Sequence, residues 1–209
     1  MAERPLVFDL DGTLVDARLR QLGVAAEVLG ELELGELDAR RFWRAKRAGA
    51  TTAGALLALG YDPARAPAIA DCWRDRVESE RWLARDRALP GVARVLRRLR
   101  REGHTIAVLT ARGRRHGAVQ SLQASGLASL VDELMVVDPA SAVTAKANVL
   151  AVCGARSFVG DAETDGDAAA VAAVAFVAVA TGQRSAAYLR RRGYEPARSL
   201  RSAVDRLGL

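Results

Sequence analysis

The chain has 209 residues, half of them apolar, enough for one domain of ordinary size or for a core with a smaller insertion. No uninterrupted apolar stretch reaches the roughly 20 residues of a membrane span, and "MAERP" runs so directly into an apolar strand that no signal peptide fits before it, so a cytoplasmic protein with no membrane partner is expected. The net charge of +6 invites a nucleic-acid reading, but the basic residues are dispersed and lack interleaved aromatics, which argues against nucleic acid as a partner.

In chain order, "PLVFDL" is the first short, continuous apolar run, and it leads into two carboxylates, Asp9 and Asp11. Acids two apart on a strand point the same way, and burying them together demands compensating charge. From about Asp16 to Ala88 no comparable strand run occurs and the pattern is helical. "TTAGALLALG" opens on capping hydroxyls and closes on Gly, "AIADCWRDRVESE" puts Ile69, Cys72, Trp73 and Val77 on one face, and all three Trp fall in this segment. It reads as a helical module inserted after the first strand, with exits near Val15 to Ala17 and at Leu89-Pro90-Gly91.

Beyond it, strand and helix alternate. "HTIAVLT", "ELMVVD", "RSFVGD" and "VAFVAVA" read as strands covered on both faces, and "PGVARVLRRLRREG", "RRHGAVQSLQASG" and "AKANVLAVCG" as the helices between them. In the first of these helices Val92, Val95, Leu96 and Leu99 form the apolar stripe and the arginines the solvated face. Cys72 and Cys153, too isolated for a disulfide framework or a metal cluster, read as plain core residues. The expected architecture is a doubly wound, Rossmann-like parallel α/β sheet, formed by 1–15 and 89–209, with 16–88 as an α-helical cap.

In an open parallel sheet the chemistry gathers at the carboxyl ends of the strands. There the sequence places Asp9 and Asp11, then Thr110, then Asp161 with Asp165 four residues on; Lys146 lies just before that last strand. The chain holds only two lysines, Lys46 and Lys146, among 31 basic residues, so a compact ammonium is wanted where a lysine stands. Singly, each feature has a plain reading: an Asp-Gly turn, an N-cap, an acidic helix start, a surface lysine. Together, three or four carboxylates at one sheet edge call for a hard divalent cation, and Mg²⁺ takes such oxygens along with a substrate phosphate. A threonine hydroxyl and an ammonium then suit phosphoryl oxygens, and one carboxylate is left as a nucleophile.

"DLDGT", "VLTAR", the Lys of "TAKANVL" and "VGDAETD", in this order, resemble the four motifs of the haloacid dehalogenase superfamily, over Leu6 to about Thr181. The helical insertion is similar to that superfamily's α-helical cap. The resemblance implies that Asp9 is the nucleophile that forms an aspartyl-phosphate and that Asp11 is the acid and base that protonates the leaving oxygen and then activates water. It implies that Thr110 and Lys146 orient the phosphate. Mg²⁺ would be held by Asp9, the backbone carbonyl of Asp11 and Asp161, with Asp165 a further ligand or the acid that holds Lys146. An acid at Asp11 favours phosphoryl chemistry, because halide leaves without a proton and an alkoxide does not; phosphonate-cleaving relatives, which use a cap lysine, replace the acid at that position. Lys46 in the cap and Arg112 beyond Thr110 are the expected substrate-binding residues, while Arg114, Arg115 and His116 read as an exposed helix start. The function expected is a Mg²⁺-dependent phosphatase of a small phosphorylated metabolite, monomeric or weakly dimeric. The alternatives are a phosphomutase on the same core and a non-catalytic binding module that keeps the fold.

Overall fold

The computed structural model describes residues 4–209, so the first three residues of the 1–15 segment lie outside the described residues. In chain order the elements are β1 (Leu6–Phe8), β2 (Val15–Asp16), α1 (Arg18–Glu31), α2 (Ala39–Arg47), α3 (Thr52–Ala58), α4 (Ala66–Arg76), α5 (Glu80–Leu83), β3 (Arg87–Ala88), α6 (Val92–Arg101), β4 (Ile106–Thr110), α7 (Arg115–Ala124), β5 (Glu133–Val136), α8 (Ala142–Val152), β6 (Ser157–Gly160), α9 (Glu163–Val171), β7 (Ala175–Ala178), α10 (Ala186–Arg191) and α11 (Leu200–Arg206). Five strands form one parallel sheet in the order β5-β4-β1-β6-β7. These are the five runs read as strands in the sequence, and β1, with the paired acids just after it, lies at the centre.

Alternation along the strands separates the core into two layers. Leu6 and Phe8 of β1 with Ile106 and Val108 of β4 face α6 and α11, whereas Val7, Ala107 and Leu109 face α8 and α9. Helix α6 follows the expected stripe, with Val92, Val95, Leu96 and Leu99 all buried. Burial of each such side chain contributes roughly 1.5–3 kcal/mol, and exposed arginine pairs on the other face at most about 1, so the stripe orients the helix. The C-terminal turn of chain, which carried no expected element, forms α10 and α11; Leu200, Ala203 and Val204 of α11 complete the first layer.

Helices α1 to α5 have their own core around Val24, Val28, Leu29, Phe42, Leu56, Ile69 and Val77. Thr51 Oγ1 accepts from the Gly54 N–H at the start of α3, and Asp38 does the same for Arg41 at α2, as capping positions require. Cys72 and Cys153 are half-buried rather than fully interior, each packed on the edge of an apolar cluster. The two chain segments that connect cap and core, β2 and β3, pair with each other antiparallel, Val15 with Ala88 and Asp16 with Arg87. Both crossings therefore pass through one narrow ribbon beside the carboxyl end of β1.

Candidate active site

The site is built where β1, β4 and β6 end. Asp9 follows β1 directly and its N–H donates to the Val159 carbonyl at 2.8 Å, which ties it to the neighbouring strand. Asp161 follows β6, and Thr110 is the buried last residue of β4. Asp165 sits in the first turn of α9, and Lys146 reaches in from α8. Between Asp9 and Asp11 and the next strand the chain turns at Gly12, whose φ of +83° and distance of 2.5 Å from a built Cβ to Asp161 Oδ2 leave room for glycine alone.

Carboxylate oxygens of Asp9, Asp161 and Asp165 lie within 4.8 Å of one another, and all three residues are buried. Lys146 Nζ donates to Asp9 Oδ1 at 2.7 Å and to Asp165 Oδ1 at 2.6 Å. Burial, reinforced by Asp165 and only partly offset by Lys146, pushes Asp9 up to about 7. Burial and then the charges of Asp9 and Asp165 push Asp161 well above the usual carboxylate range. Burial works against the charge of Lys146, but Asp165 and Asp9 outweigh it and hold the ammonium above its ordinary value. One ammonium among three acids leaves negative charge uncompensated, and the donors are all hard oxygens. A divalent cation fits that set, with Asp9 and Asp161 as side-chain ligands. Asp165 is already committed: Oδ1 to Lys146 and Oδ2 to the Ala162 N–H at 3.1 Å.

Asp11 faces elsewhere. Its carboxylate accepts from Arg112 through Nε at 2.8 Å and Nη2 at 2.6 Å, and from Nη2 of Arg20 at 2.6 Å. Burial alone would raise this acid, but Arg112 and then Arg20 overcome it and hold Asp11 down at about 2. Its carboxylate is thus paired with guanidinium groups, apart from the trio of acids. Arg112 spends its other donors inside the protein, on Gly117 O, Ser121 Oγ and Asp86, so it orients Asp11 as well as lining the cavity beside it.

That cavity, about 720 Å³, lies between cap and core, with Asp11, Gln21, Trp73, Arg74, Arg112 and Gln183 in its wall. Gln21 is buried on α1 and its Oε1 has no hydrogen-bond partner. Lys46 is 5 % exposed, donates to Thr52 Oγ1 at 3.2 Å and stands 5.4 Å from the centre of the Trp73 ring. Burial, with the nearby Arg184 charge, lowers its ammonium to about 8. Both lysines singled out by scarcity are therefore buried, whereas Arg114, Arg115 and His116 are exposed at the start of α7.

Arg20, Asp86 and Glu78 carry no signal in the sequence that sets them apart. Arg20 was one arginine among many in a dispersed pattern, and nothing local marks it. Glu78 Oε1 and Oε2 accept from the N–H groups of Gly113 and Arg114, fastening the cap to the turn that starts α7. On the opposite side Arg47 donates to the carbonyls of Gly182 and Ala180, and Arg184 to that of Lys46. Among the described residues no helix is long and apolar enough to cross a membrane.

Comparison with solved structures finds the same fold in a haloacid dehalogenase-like family hydrolase from Streptococcus pneumoniae, at TM-score 0.77 and 16% identity, covering 98% of each chain. A HAD family hydrolase from Deinococcus radiodurans, solved with bound phosphate and sodium, matches at TM-score 0.72 and 24% identity over 99% of this chain and 96% of that one. A predicted phosphoglycolate phosphatase from Haemophilus somnus matches at TM-score 0.66 and 21% identity over 88% of both. No curated protein matches in sequence. The family profile described as haloacid dehalogenase-like hydrolase covers residues 6–179, from the first residue of β1 to just past β7, and the chain belongs to that family.

Proposed function

We propose that the chain is a Mg²⁺-dependent phosphatase that hydrolyses a small phosphorylated metabolite through a phosphoryl group carried on Asp9. The observation that carries this reading is the division of the acids: Asp9, Asp161 and Asp165 share Lys146, while Asp11 is paired separately with arginines beside the cavity. A phosphate seen in the Deinococcus neighbour is consistent with such a site. Asp9 and Asp161, with the backbone carbonyl of Asp11, would hold the cation. When bound it supplies positive charge that lowers the repulsion between the nucleophile and phosphoryl oxygens.

The chain's own groups do the rest. Asp9 attacks phosphorus, and the bond from phosphorus to the leaving oxygen breaks. Lys146 favours the ionised form of Asp9 against the effect of burial and, with Thr110, offers donors to the phosphoryl oxygens. Asp11, whose pairing with Arg112 and Arg20 favours its ionised form, has to carry a proton when it serves the leaving oxygen, and in the second half it takes one from the water that attacks the phosphorus on Asp9. The cap encloses the reaction and reads the leaving group. Lys46, a buried ammonium without an acidic partner among the described residues, suits an anionic group, and Gln21 Oε1 suits a hydroxyl.

The test is phosphate release from a panel of small phosphomonoesters, with and without Mg²⁺, by the native protein and by Asp9→Asn. Metal-dependent release that vanishes in the variant supports the reading. A folded native protein that releases phosphate from no ester contradicts it.

A further inference from the structure

Asp11 is held by more than its own domain. Arg20, on cap helix α1 and 3 % exposed, joins Asp11 Oδ1 through Nη2, Asp86 Oδ1 through Nε at 2.9 Å and the Val77 carbonyl through Nη1 at 3.1 Å. Asp86, fully buried just before β3, also accepts from Ser121 Oγ at 2.5 Å and from Arg112 Nη2 at 3.4 Å. Two arginines and two aspartates thus close a ring that spans the first cap helix, the return strand and the start of α7. Net charge within it is zero.

The ring is an expensive device if its purpose is only to seat the cap, since buried ion pairs can generally be replaced by apolar packing without loss of stability. It does something packing cannot. A carboxylate offers about four acceptor positions. On Asp11 two on Oδ1 are taken by Arg20 and Arg112, and one on Oδ2 by Arg112 Nε. One position on Oδ2 remains, on a side chain 19 % exposed in the wall of the 720 Å³ cavity. With the cap docked, the acid can accept a proton from one direction only.

We propose that Arg20 and Asp86 are positioning residues for Asp11 in the hydrolytic half of the reaction, so that docking of the cap aims the base. In that half the oxygen of water bonds to phosphorus, the bond from phosphorus to the Asp9 oxygen breaks with its electron pair going to Asp9, and the water proton passes to the open position on Asp11 Oδ2. Arg20 and Asp86 touch none of the reacting atoms. They act by fixing the carboxylate that does. The proposal rests on the phosphatase reading above and adds that the cap contributes to the chemistry as well as to substrate recognition.

The test uses the full chain with Mg²⁺ and p-nitrophenyl phosphate, whose leaving group departs without a proton, so the first step does not depend on Asp11 and the second does. Rapid-quench measurement reads p-nitrophenol in the first turnover for step one and the decay of acid-trapped phosphoenzyme for step two. In Arg20→Met step one is expected to stay within about twofold of native and step two to slow at least about tenfold, the lower end of what a positioned proton acceptor contributes. Asp86→Asn should do the same more weakly. Arg20→Lys, which keeps the charge but cannot reach both aspartates, should also slow step two, and it carries the test if Arg20→Met does not fold. Equal slowing of both steps in the folded variants, or an unchanged step two, overturns the proposal. If the native chain releases no p-nitrophenol or phosphate at all, it is the phosphatase reading that falls.

Discussion

The chain has two lysines, both buried, and their surroundings differ. Lys146 in the core lies between Asp9 and Asp165, at 2.7 and 2.6 Å, and its charge is held above its ordinary strength by them. Lys46 in the cap has a threonine hydroxyl and the face of Trp73, and burial weakens it to about 8. The core holds its ammonium between two acids and still has room beside them for a divalent cation, whereas the cap keeps a buried cation that has no acidic partner among the described residues. That is the division expected between a part that performs an unchanging phosphoryl chemistry and a part that selects the molecule to which the phosphoryl group is attached.

The largest consequence lies in the core. Asp9→Asn keeps the shape and removes the nucleophile, so turnover should fall by about 10⁴-fold or more, with the melting temperature held or raised as one of three crowded acids loses its charge. Lys146→Met should cost both properties. It strands two buried carboxylates, which destabilises by roughly 3 kcal/mol or more, read by denaturant unfolding, and phosphate release should be lost with it.

In the cap the sign reverses. Lys46→Met removes a poorly compensated buried charge, so at pH 7 the variant should be more stable by about 1–2 kcal/mol, while KM for an anionic substrate rises. The pH dependence follows from proton binding. With Lys46 at about 8 folded and near 10.5 unfolded, the unfolded chain binds more protons between those values, so native stability rises with pH across that window. The advantage of the methionine variant should be complete below pH 8 and disappear towards 10.5. Unfolding curves of both proteins at a series of pH values check this, and a constant difference would refute it. The smallest effect belongs to the cap's fastening: Glu78→Ala removes acceptors from the Gly113 and Arg114 N–H groups and should cost about 1 kcal/mol, as loss of a helix cap does.

What the sequence made legible follows the range of the interactions. The five sheet strands are short continuous apolar runs and the stripe of α6 is a pattern of period 3.6; both are local, and they recur in the structure. The acids at Asp9 and Asp161 were readable because a parallel sheet brings its strand ends to one edge, and Lys146, on α8, because lysine is scarce in this chain. The ring around Asp11 was not. Arg20 and Asp86 are 66 residues apart and meet only because β2 and β3 pair, and each looks like any other charged residue in a chain rich in both. Asp11 was expected to shuttle a proton; Arg112 stood out in the sequence, but as a substrate-binding residue rather than the partner of Asp11, and Arg20 could not be told from a solvated arginine. The C-terminal helices were also silent, since α10 and α11 are only six and seven residues long.

The central claim is that a phosphoryl group passes through Asp9. The direct measurement is acid quench of the native chain during turnover of a ³²P-labelled phosphomonoester with Mg²⁺, followed by peptide mapping of the label. Label is expected on the peptide that contains Asp9, absent without Mg²⁺ and absent in Asp9→Asn. Continued phosphate release with no labelled peptide, or with label on another residue, would contradict it.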